Sequence, residues 1–367
     1  MSFAPGAADA LPSLAVGFLV AALIAFAVTP VIRDFVRRRG IVDRPDPRRV
    51  HRRPLPRGGG VAVGIAFVLV GGALELTGVI PGVAAGARPI ASSGIVGLFV
   101  GGIAAAAIGA FDDLLDLRAR WQLLGQLIVA AIAVAFGIEI RFIDNPFAAG
   151  NLLFPDVIAI AITVLWIVGM INSINFIDGL DGLSSGIALI AAVTLGILSL
   201  TVAVGQPIVA VLCFVLAGGL LGFLRWNFHP AIVFQGTSGV MFLGFTLAAL
   251  SILGTAKVVV ALLVLGVPII DSFWVIVRRI SGGRSPFSPD RGHIHHRLLD
   301  LGLSHRSTVL LIYAICAALG AVSLLVSAAA GLYTFLAAAV AFGLVVFIAA
   351  RQPREALEPT SYDNGDP

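Results

Sequence analysis

Long apolar runs follow one another along most of the chain, and they restrict its fold more than any other feature. The first run, LPSLAVGFLVAALIAFAVTPVI at 11–32, is too long for the apolar core of a cleaved signal peptide and has no basic residue before it. An α-helix needs about 20 consecutive apolar residues to cross a bilayer. Because 59% of the 367 residues are hydrophobic, only 12% are charged and the mean hydropathy is +1.03, the chain falls outside the class of water-soluble domains.

Hydropathy averaged over windows of about 19 residues predicts eleven membrane-spanning helices. The expected fold class is therefore an all-α polytopic integral membrane protein. The predicted spans cover residues 11–31, 60–80, 93–111, 121–139, 156–172, 184–204, 207–224, 238–254, 257–279, 308–328 and 331–350. We expect residues 1–350 to form a single membrane-embedded domain, and the polar, proline-containing segment 351–367 to be a disordered cytoplasmic tail.

Basic residues crowd into alternate loops between the predicted spans. Of the 24 lysines and arginines, 21 fall on one side of the membrane and 3 on the other, and segment 32–57 alone carries ten arginines. Loops rich in lysine and arginine stay in the cytoplasm, so the N-terminus is predicted outside and the C-terminus in the cytoplasm. Topology and contact with anionic lipid account for the pI near 9.7 without a nucleic-acid partner.

Five polar clusters, far apart in sequence, fall on this same cytoplasmic face of the predicted topology. They are VHRRPLPRGGG at 50–60, FDDLLDL at 111–117, NSINFIDGLDGL at 172–183, FQGTSGV at 234–240 and HIHH at 293–296. Chance placement would scatter such clusters over both faces. A single site at the cytoplasmic membrane surface is the most economical explanation.

The acids that end the third span indicate a divalent cation. Asp112 and Asp113 are adjacent, and Asp116 lies one turn beyond Asp112, on the same face if the helix continues. Grouped carboxylates repel one another unless a cation lies between them, and clusters of oxygen ligands suit Mg²⁺ or Mn²⁺. A solvated acidic helix end is the alternative.

The stretch NSINFIDGLDGL adds two more acids and two amides at the end of the fifth span. A glycine follows each of Asp178 and Asp181, and glycine permits a tight chain reversal and the close approach of a ligand. The side chains of Asn172 and Asn175 can donate to phosphate oxygens or bond a nucleobase edge. The alternative is a capped, glycine-broken junction between two helices.

Histidines and arginines alternate in the loop before the tenth span. His293, His295 and His296 lie between Arg291 and Arg297. Imidazoles beside guanidinium groups suit an anionic, phosphorylated substrate better than zinc, for which no cysteine is near. A histidine-rich metal site and plain surface histidines are the alternatives.

An acid also lies inside the ninth predicted span. Acids within spans face protein or a cavity and are paired or functional. Arg278 follows Asp271 by two helical turns, so we predict a structural pairing between them, with a groove for a lipid phosphate as the alternative.

Taken in this order, the motifs resemble those of the polyprenyl-phosphate N-acetylhexosamine-1-phosphate transferase family (glycosyltransferase family 4), a family related to the phospho-N-acetylmuramoyl-pentapeptide transferases. The matching pieces lie within residues 43–306 and are VHRRPLPRGGG, FDDLLD, NSINFIDGLDGL and PIIDSFWVIVRRISGGRSPFSPDRGHIHHRL. The motif HIHH resembles the branch that uses UDP-N-acetylglucosamine. The expected number of spans is similar too.

The resemblance implies an enzyme that transfers N-acetylhexosamine 1-phosphate from a UDP-sugar to undecaprenyl or decaprenyl phosphate, releases UMP and starts a cell-envelope glycan. N-acetylglucosamine is the expected sugar, and Mg²⁺ (or Mn²⁺) is the expected cofactor. The expected partners are the UDP-sugar, the polyprenyl phosphate, the lipid bilayer and a second copy in a homodimer, with no nucleic acid. The expected location is the plasma (inner) membrane, with several spans and a cytoplasmic active site.

The resemblance also assigns roles to matching residues. The implied catalytic acids and metal ligands are Asp112, Asp113, Asp178 and Asp181. The implied substrate contacts are Arg57, Asn172, Asn175, Arg291, His293, His295, His296 and Arg297. Asp112 and Asp113 are expected at the metal or the lipid phosphate, and Asp178 and Asp181 at the metal and nucleotide. Whether Asp112 acts as a base is open.

One position departs from the family pattern. Where the family typically has Phe-x-Gly-Asp-Ser-Gly-Ser, with a metal-binding aspartate, residues 234–240 read FQGTSGV, and Thr237 replaces the acid. No aspartate or glutamate occurs between 182 and 270 to replace it. Threonine is a poor Mg²⁺ ligand compared with a carboxylate.

This departure keeps several functions open. The four remaining acids could hold the metal alone, or the chain could be a divergent, inactive member that binds lipid in the membrane. A phospho-N-acetylmuramoyl-pentapeptide transferase is another alternative. A lipid-phosphate carrier is an alternative from a different functional class. Such a carrier would need ionisable groups deep in several spans, and the predicted spans contain essentially only Asp271 and Glu75.

Overall fold

The computed structural model describes residues 2–4, 7–43, 54–77, 92–145, 150–201, 204–254, 258–283, 285, 292–326 and 330–340, and helices make up most of them. The helices are α1 (Ala7–Arg38), α2 (Val61–Leu76), α3 (Ser92–Leu115), α4 (Ala119–Ala135), α5 (Asp156–Ile177), α6 (Leu183–Ser199), α7 (Pro207–Asn227), α8 (Gly236–Leu253), α9 (Val258–Val264), α10 (Gly266–Ser281), α11 (Ile294–Asp300), α12 (His305–Leu325) and α13 (Ala330–Val340). The tail predicted at 351–367 lies outside the described residues.

Six of the described helices, α1, α3, α5, α7, α8 and α12, are long and apolar enough to cross a membrane. Four shorter apolar helices, α2, α4, α6 and α13, accompany them. The protein is therefore a polytopic, mostly helical membrane protein, as its hydropathy predicts. A helix lies in the described part of every predicted span, and α2, α4, α6 and α12 end earlier than predicted. Residues 341–350 of the eleventh predicted span lie outside the described residues.

The ninth predicted span is broken into two helices. α9 ends at Val264, and α10 begins at Gly266 after the non-helical residue Leu265. Pro268 lies in the first turn of α10, where a missing backbone N–H costs little. A proline inside a helix removes one backbone hydrogen bond and favours a kink or a break, so Pro268 is a sequence feature that favours this break, although α1 continues through Pro30.

Two small antiparallel sheets were not part of the all-α prediction. β1 (Val42–Asp43) pairs with β2 (Leu55–Pro56), and β3 (Phe142–Asp144) pairs with β4 (Asn151–Leu153). β2 also joins the segment before α8, because the Phe234 N–H donates to the Pro56 carbonyl over 2.8 Å. These strands are short, but β2 fixes the residue that follows it, Arg57, beside the start of α8.

Glycines allow the central helices to approach closely. A Cβ atom at Gly218 or Gly222 of α7 would lie 2.1 Å from a backbone oxygen of α1, at Phe18 and Ala22 respectively. Small residues four apart are a common device for packing helices in membranes. A Cβ at Gly109 of α3 would likewise lie 2.5 Å from the Cα of Ser238. This last contact brings the C-terminal end of α3 against the N-terminal end of α8, where the candidate site lies.

The α1–α7 contact generates a stability prediction. Gly222→Ala should destabilise the protein by about 1–3 kcal/mol, because the methyl group meets backbone that cannot move as a side chain can. The matched control is Gly72→Ala in α2, where a Cβ meets no atom within 4 Å. There, alanine should be neutral or stabilising by up to about 1 kcal/mol. Thermal unfolding of the detergent-purified variants tests this, and equal midpoints for the two would contradict the described packing.

Candidate active site

The carboxylate of Asp113 lies on the N-terminal end of α8. Its Oδ1 accepts the N–H of Thr237 over 2.8 Å, and its Oδ2 accepts the N–H and the hydroxyl of Ser238 over 3.0 and 2.7 Å. The first N–H groups of a helix lack partners within the helix and favour an anion. Gly236 has φ +74°, and a Cβ there would lie 2.6 Å from Oδ2. Glycine is therefore required where the chain passes Asp113.

Arg57 links Asp113 to two other acids. Its Nε lies 3.7 Å from an oxygen of Asp113 and 3.8 Å from an oxygen of Asp43, and its terminal nitrogen lies 2.8 Å from Asp116. Asp43 is buried and was not among the predicted site residues. Its sequence neighbours are Val42 and Arg44, which give no signal of a site. The predicted substrate contact Arg57 therefore carries its positive charge among three carboxylates.

Asp112 faces the connection between α3 and α4. Its Oδ1 accepts the N–H of Leu117 over 3.0 Å and the side-chain amide of Gln122 over 2.9 Å. The expectation that Asp116 shares a helix face with Asp112 is wrong, because α3 ends at Leu115 and Asp116 takes a left-handed φ of 45°. The chain turns there, so that Asp116 reaches Arg57 instead.

Asp178 follows directly after α5 and lies within the electrostatic reach of Asp113. The Ser184 hydroxyl donates to its Oδ1 over 2.5 Å, and no described residue donates to its Oδ2. The pKa of Asp178 is raised to about 7: burial is the largest cause, the charges of Asp113 and Asp181 act in the same direction, and the Ser184 hydrogen bond and the charge of Arg57 oppose the shift. Burial disfavours the charged form of this carboxyl group, and the two neighbouring acids disfavour it further.

A buried polar network supports Asp178 from behind. The Oε1 position of Gln235 lies 2.7 Å from the Ser184 hydroxyl and 2.8 Å from the Ser185 hydroxyl, while the buried Nε2 has no partner in the described part of the chain. Exchanging the two amide atoms lets Gln235 donate to both serines. Ser184 then donates to Asp178, and Ser185 donates to Asn227 over 2.8 Å.

The two predicted asparagines differ in their surroundings. Asn172 donates to Gln126 over 2.7 Å and to the Val168 carbonyl over 2.8 Å, and so ties α5 to α4. The side chain of Asn175 makes no hydrogen bond with a described residue and lines a large cavity. Asn175 is therefore the better placed of the two to contact a ligand.

The HIHH segment packs against the turn after Asp178. A Cβ at Gly179 would lie 2.3 Å from Nε2 of His295, so glycine is needed there as well. His295 is buried, and neither ring nitrogen has a partner among the described residues. Burial lowers the pKa of His295 well below its usual range, and the neighbouring His296 and His293 lower it further, so the ring is neutral at pH 7.

The remaining basic residues of this loop are described in part. Arg291 lies outside the described residues. Arg297 donates from its Nε to the Gly292 carbonyl over 3.3 Å, and the His296 ring lies 4.3 Å from that of His295. His296 and Arg297 both lie in the short helix α11.

The predicted pairing of Asp271 with Arg278 is wrong. The Oδ2 of Asp271 lies 2.7 Å from Nδ1 of His293, and its Oδ1 accepts the N–H of Ile294 over 2.8 Å. The chain returns after α10 and begins α11 over the middle of that helix. A partner 22 residues away therefore replaces the local one.

Asp181 lies with two histidines that sequence reasoning missed. Its Oδ2 lies 2.8 Å from Nδ1 of His229 and accepts the N–H of Ala231 over 3.1 Å, and the ring of His305 stacks on that of His229 at 4.1 Å. The ligand atoms of Asp181, His229 and His305 lie within 4.8 Å of one another. The two rings are only 20° from parallel, so their lone pairs do not converge as a tetrahedral zinc site requires.

A cavity of about 1200 Å³ lies between α4, α5 and α10. Most of its wall is apolar, with Ile140, Phe154, Ile162, Trp166, Leu262 and Phe273 among the lining residues. Polar side chains line it too: Gln122, Asn172, Asn175, Arg279 and His293. Arg279 is buried, with its guanidinium 5.7 Å from the Phe176 ring. Arg279 is one of the basic residues predicted to set the membrane topology, because nothing in the sequence distinguishes it from Arg278.

The structure therefore brings part of the predicted set together. Asp113 and Asp178 influence each other electrostatically, and His295 packs on the residue that follows Asp178. The polar part of the cavity includes Asn175, three residues before Asp178, and His293, two residues before His295.

Comparison with known proteins agrees with the resemblance in the motifs. The family model for glycosyl transferase family 4 matches residues 95–255. A Bacillus subtilis protein described as a probable undecaprenyl-phosphate N-acetylglucosaminyl 1-phosphate transferase is 36% identical over 313 residues, 82% of each chain. The decaprenyl-phosphate N-acetylglucosaminephosphotransferase of Mycolicibacterium smegmatis is 36% identical over 84% of this chain and 80% of its own. An undecaprenyl-phosphate alpha-N-acetylglucosaminyl 1-phosphate transferase of Thermotoga maritima is 31% identical over 75% and 78%. The chain belongs to glycosyl transferase family 4.

Proposed function

We propose that the protein transfers N-acetylglucosamine 1-phosphate from UDP-N-acetylglucosamine to a polyprenyl phosphate, releases UMP and so starts a cell-envelope glycan. The observation that carries this proposal is the mostly apolar cavity with Asn175, Arg279 and His293 among its lining residues. Such a cavity suits a ligand that is hydrocarbon over most of its length and anionic at one end. The names of the relatives from Bacillus subtilis and Mycolicibacterium smegmatis support the same reaction.

The acceptor fits this cavity in one orientation. Its hydrocarbon chain lies between α4, α5 and α10, and its phosphate lies near Arg279 and His293. A phosphate monoester has a second pKa near 6 and is mostly dianionic at pH 7, so it needs little help from a general base. The obstacle to the reaction is the approach of one anion to another. Arg57 and the basic loop before α12 reduce that repulsion.

Asp113 and Asp178 fit the part of ligands for a divalent cation. Asp113 is buried and Asp178 is partly buried, the charge of Asp113 helps to raise the pKa of Asp178, and Asp178 has an oxygen without a donor among the described residues. Mg²⁺ (or Mn²⁺) bound there would neutralise pyrophosphate charge on the UDP-sugar. Asp112 and Asp181 stay in the proposed site, with the added task of holding the turns after α3 and α5 through the bonds that they accept.

The membrane arrangement is part of the proposal. The asymmetry of arginines supports eleven crossings of the plasma (inner) membrane, an external N-terminus, a cytoplasmic C-terminus and a cytoplasmic active site. A UDP-sugar made in the cytoplasm then reaches the site from water, while the acceptor reaches it from the bilayer. A single domain over 1–350, a disordered tail at 351–367 and assembly into a homodimer complete the proposal.

Thr237 favours a second candidate function, that of a lipid-binding relative without turnover. The residue contributes its backbone N–H to Asp113 at the start of α8, but its neutral side chain adds no charge for a metal. The substitution tests below separate the two candidates.

The first test concerns the acids. In membranes that contain the protein, labelled UDP-N-acetylglucosamine should give a lipid-soluble product and UMP in a reaction that depends on Mg²⁺. Asp113→Asn and Asp178→Asn should each lower kcat at least about 100-fold, the scale expected when a group that stabilises transition-state charge is lost. The matched control is Asp156→Asn, at the exposed start of α5, which should keep its activity. Undiminished turnover in both site variants would remove these residues from the mechanism.

The second test uses the raised pKa of Asp178. Below pH 7 a cation must displace the proton that this carboxyl group retains, so Mg²⁺ affinity should fall up to about tenfold per pH unit below 7 and level off above it. Calorimetric Mg²⁺ titrations in two buffers of different ionisation enthalpy count the released protons. Release should approach one proton per ion at pH 6 and vanish at pH 8. A release that is the same at both values would contradict the role of Asp178.

The third test restores the acid of the family pattern. Thr237→Asp adds a carboxylate beside Asp113 and should lower the Mg²⁺ concentration for half-maximal activity roughly tenfold, because a further negative charge attracts the cation. Thr237→Asn is the matched control, with similar size and no charge, and should resemble the wild type. A Thr237→Asp variant that turns over while the wild type does not would favour the lipid-binding candidate for the natural chain.

A further inference from the structure

Asp271 and His293 form a buried pair, and the proposed function gives Asp271 no role. Both residues are more than nine-tenths buried, and the Oδ2–Nδ1 distance is 2.7 Å. The other carboxylate oxygen of Asp271 accepts the N–H of Ile294 over 2.8 Å. A buried carboxylate is costly unless it is paired and hydrogen-bonded. Burying an acid within α10 therefore costs free energy, and holding a loop in place does not by itself require an acid there.

The ring of His293 is held in a defined orientation. His293 precedes α11, its ring lies nearly parallel to that of His295 at 5.6 Å, and the Phe176 ring lies 5.7 Å away on the α5 side. Nδ1 is occupied by Asp271, whereas Nε2 makes no hydrogen bond with a described residue. The side chain also lines the cavity, together with Arg279 and Asn175.

We propose that Asp271 is a positioning residue, which keeps a proton on Nδ1 of His293 and thereby presents Nε2 to the phosphate of the lipid acceptor. The inference rests on the proposed function in one respect, since it takes a polyprenyl phosphate as the ligand of the cavity. A carboxylate can only accept a hydrogen bond, so it selects the Nδ1–H form of the ring.

The same arrangement serves both charge states of a phosphate monoester. With the monoanion, the P–OH proton moves to Nε2, and the oxygen keeps the electron pair and becomes the nucleophile. With the dianion, an imidazolium donates its Nε2–H to a phosphate oxygen. In each case the result is a cationic His293 beside an anionic phosphate, and the charge of Asp271 stabilises that cation without taking up a proton. Arg279 adds a second positive charge to the same cavity.

Tautomer and kinetics together test the proposal. Asp271→Asn is nearly isosteric, but its amide can donate to Nδ1 and so moves the ring proton to Nε2. Imidazole ¹⁵N spectra of the detergent-purified protein, with His293→Gln used to assign the resonance, should show Nδ1–H in the wild type and Nε2–H in Asp271→Asn. Farnesyl phosphate in the micelles should shift the Nε2 resonance of the wild type.

The kinetic signature is confined to the acceptor. Asp271→Asn should lower kcat/KM for polyprenyl phosphate about tenfold to hundredfold, the usual effect of removing the partner that orients a functional histidine. KM for the UDP-sugar should stay within about threefold of the wild-type value. Asp271→Glu, which retains the carboxylate, should recover part of the loss. The double variant Asp271→Asn/His293→Gln should be no worse than His293→Gln alone, because one residue acts through the other.

The outcomes separate this inference from the proposed function. Resonance shifts with farnesyl phosphate, in a protein that transfers no UDP-sugar, would sink the function and keep the inference. Turnover with an Nε2–H resonance for wild-type His293, or with additive losses in the double variant, would overturn the inference and keep the function. The wild-type tautomer decides the matter even if Asp271→Asn does not fold.

Discussion

The contact between Asp113 and the first N–H groups of α8 is the interaction on which the rest of the site depends. It joins residues 124 positions apart, and it requires glycines at the close approaches of α3, the 58–60 segment and α8. Backbone N–H groups can hold a carboxylate ionised in surroundings that would otherwise protonate it. Arg57 lies beside the Asp113 carboxylate, and the charge of that carboxylate acts on Asp178. The start of α8 therefore positions Asp113 relative to the other acids.

The sequence predicts the placement of the site better than its internal pairing. The topology predicted from the alternating arginine-rich loops groups FDDLLDL, NSINFIDGLDGL and HIHH on one membrane surface, and in the structure parts of these segments lie near one another. Partners within the site depend on long-range packing, which no local spacing encodes. Asp271 therefore looked like a partner for Arg278, and Asp43, His229 and His305 gave no signal. The helical positions were predictable from hydropathy, whereas the break at Leu265 needed attention to Pro268, and the short strands had no periodic pattern at all.

The framework around Thr237 does not depend on which side chain stands at this position. The backbone of the residue makes the bond to Asp113, and any residue with an N–H can provide that bond. The Thr237 side chain can therefore be replaced while the start of α8 and the Asp113 carboxylate stay in contact. Gln235, two residues earlier, connects through Ser184 to Asp178, so this short segment touches both proposed ligands. Variation in FQGTSGV therefore changes the charge of the site more readily than its shape.

The finite size of the apolar cavity bears on acceptor choice. A volume of about 1200 Å³ encloses only a limited length of hydrocarbon, and the rest of a long isoprenoid must extend among the lipid tails. Isoprene units outside the protein do not contribute to differences in binding free energy between acceptors. Only the units that α4, α5 and α10 enclose can therefore distinguish one acceptor from another. In the proposed binding mode the cavity contacts the phosphate end and the first isoprene units of the acceptor, and the remainder of the chain makes no contact with it. Acceptor length would then be set by the isoprenoids that the cell makes, rather than by this protein.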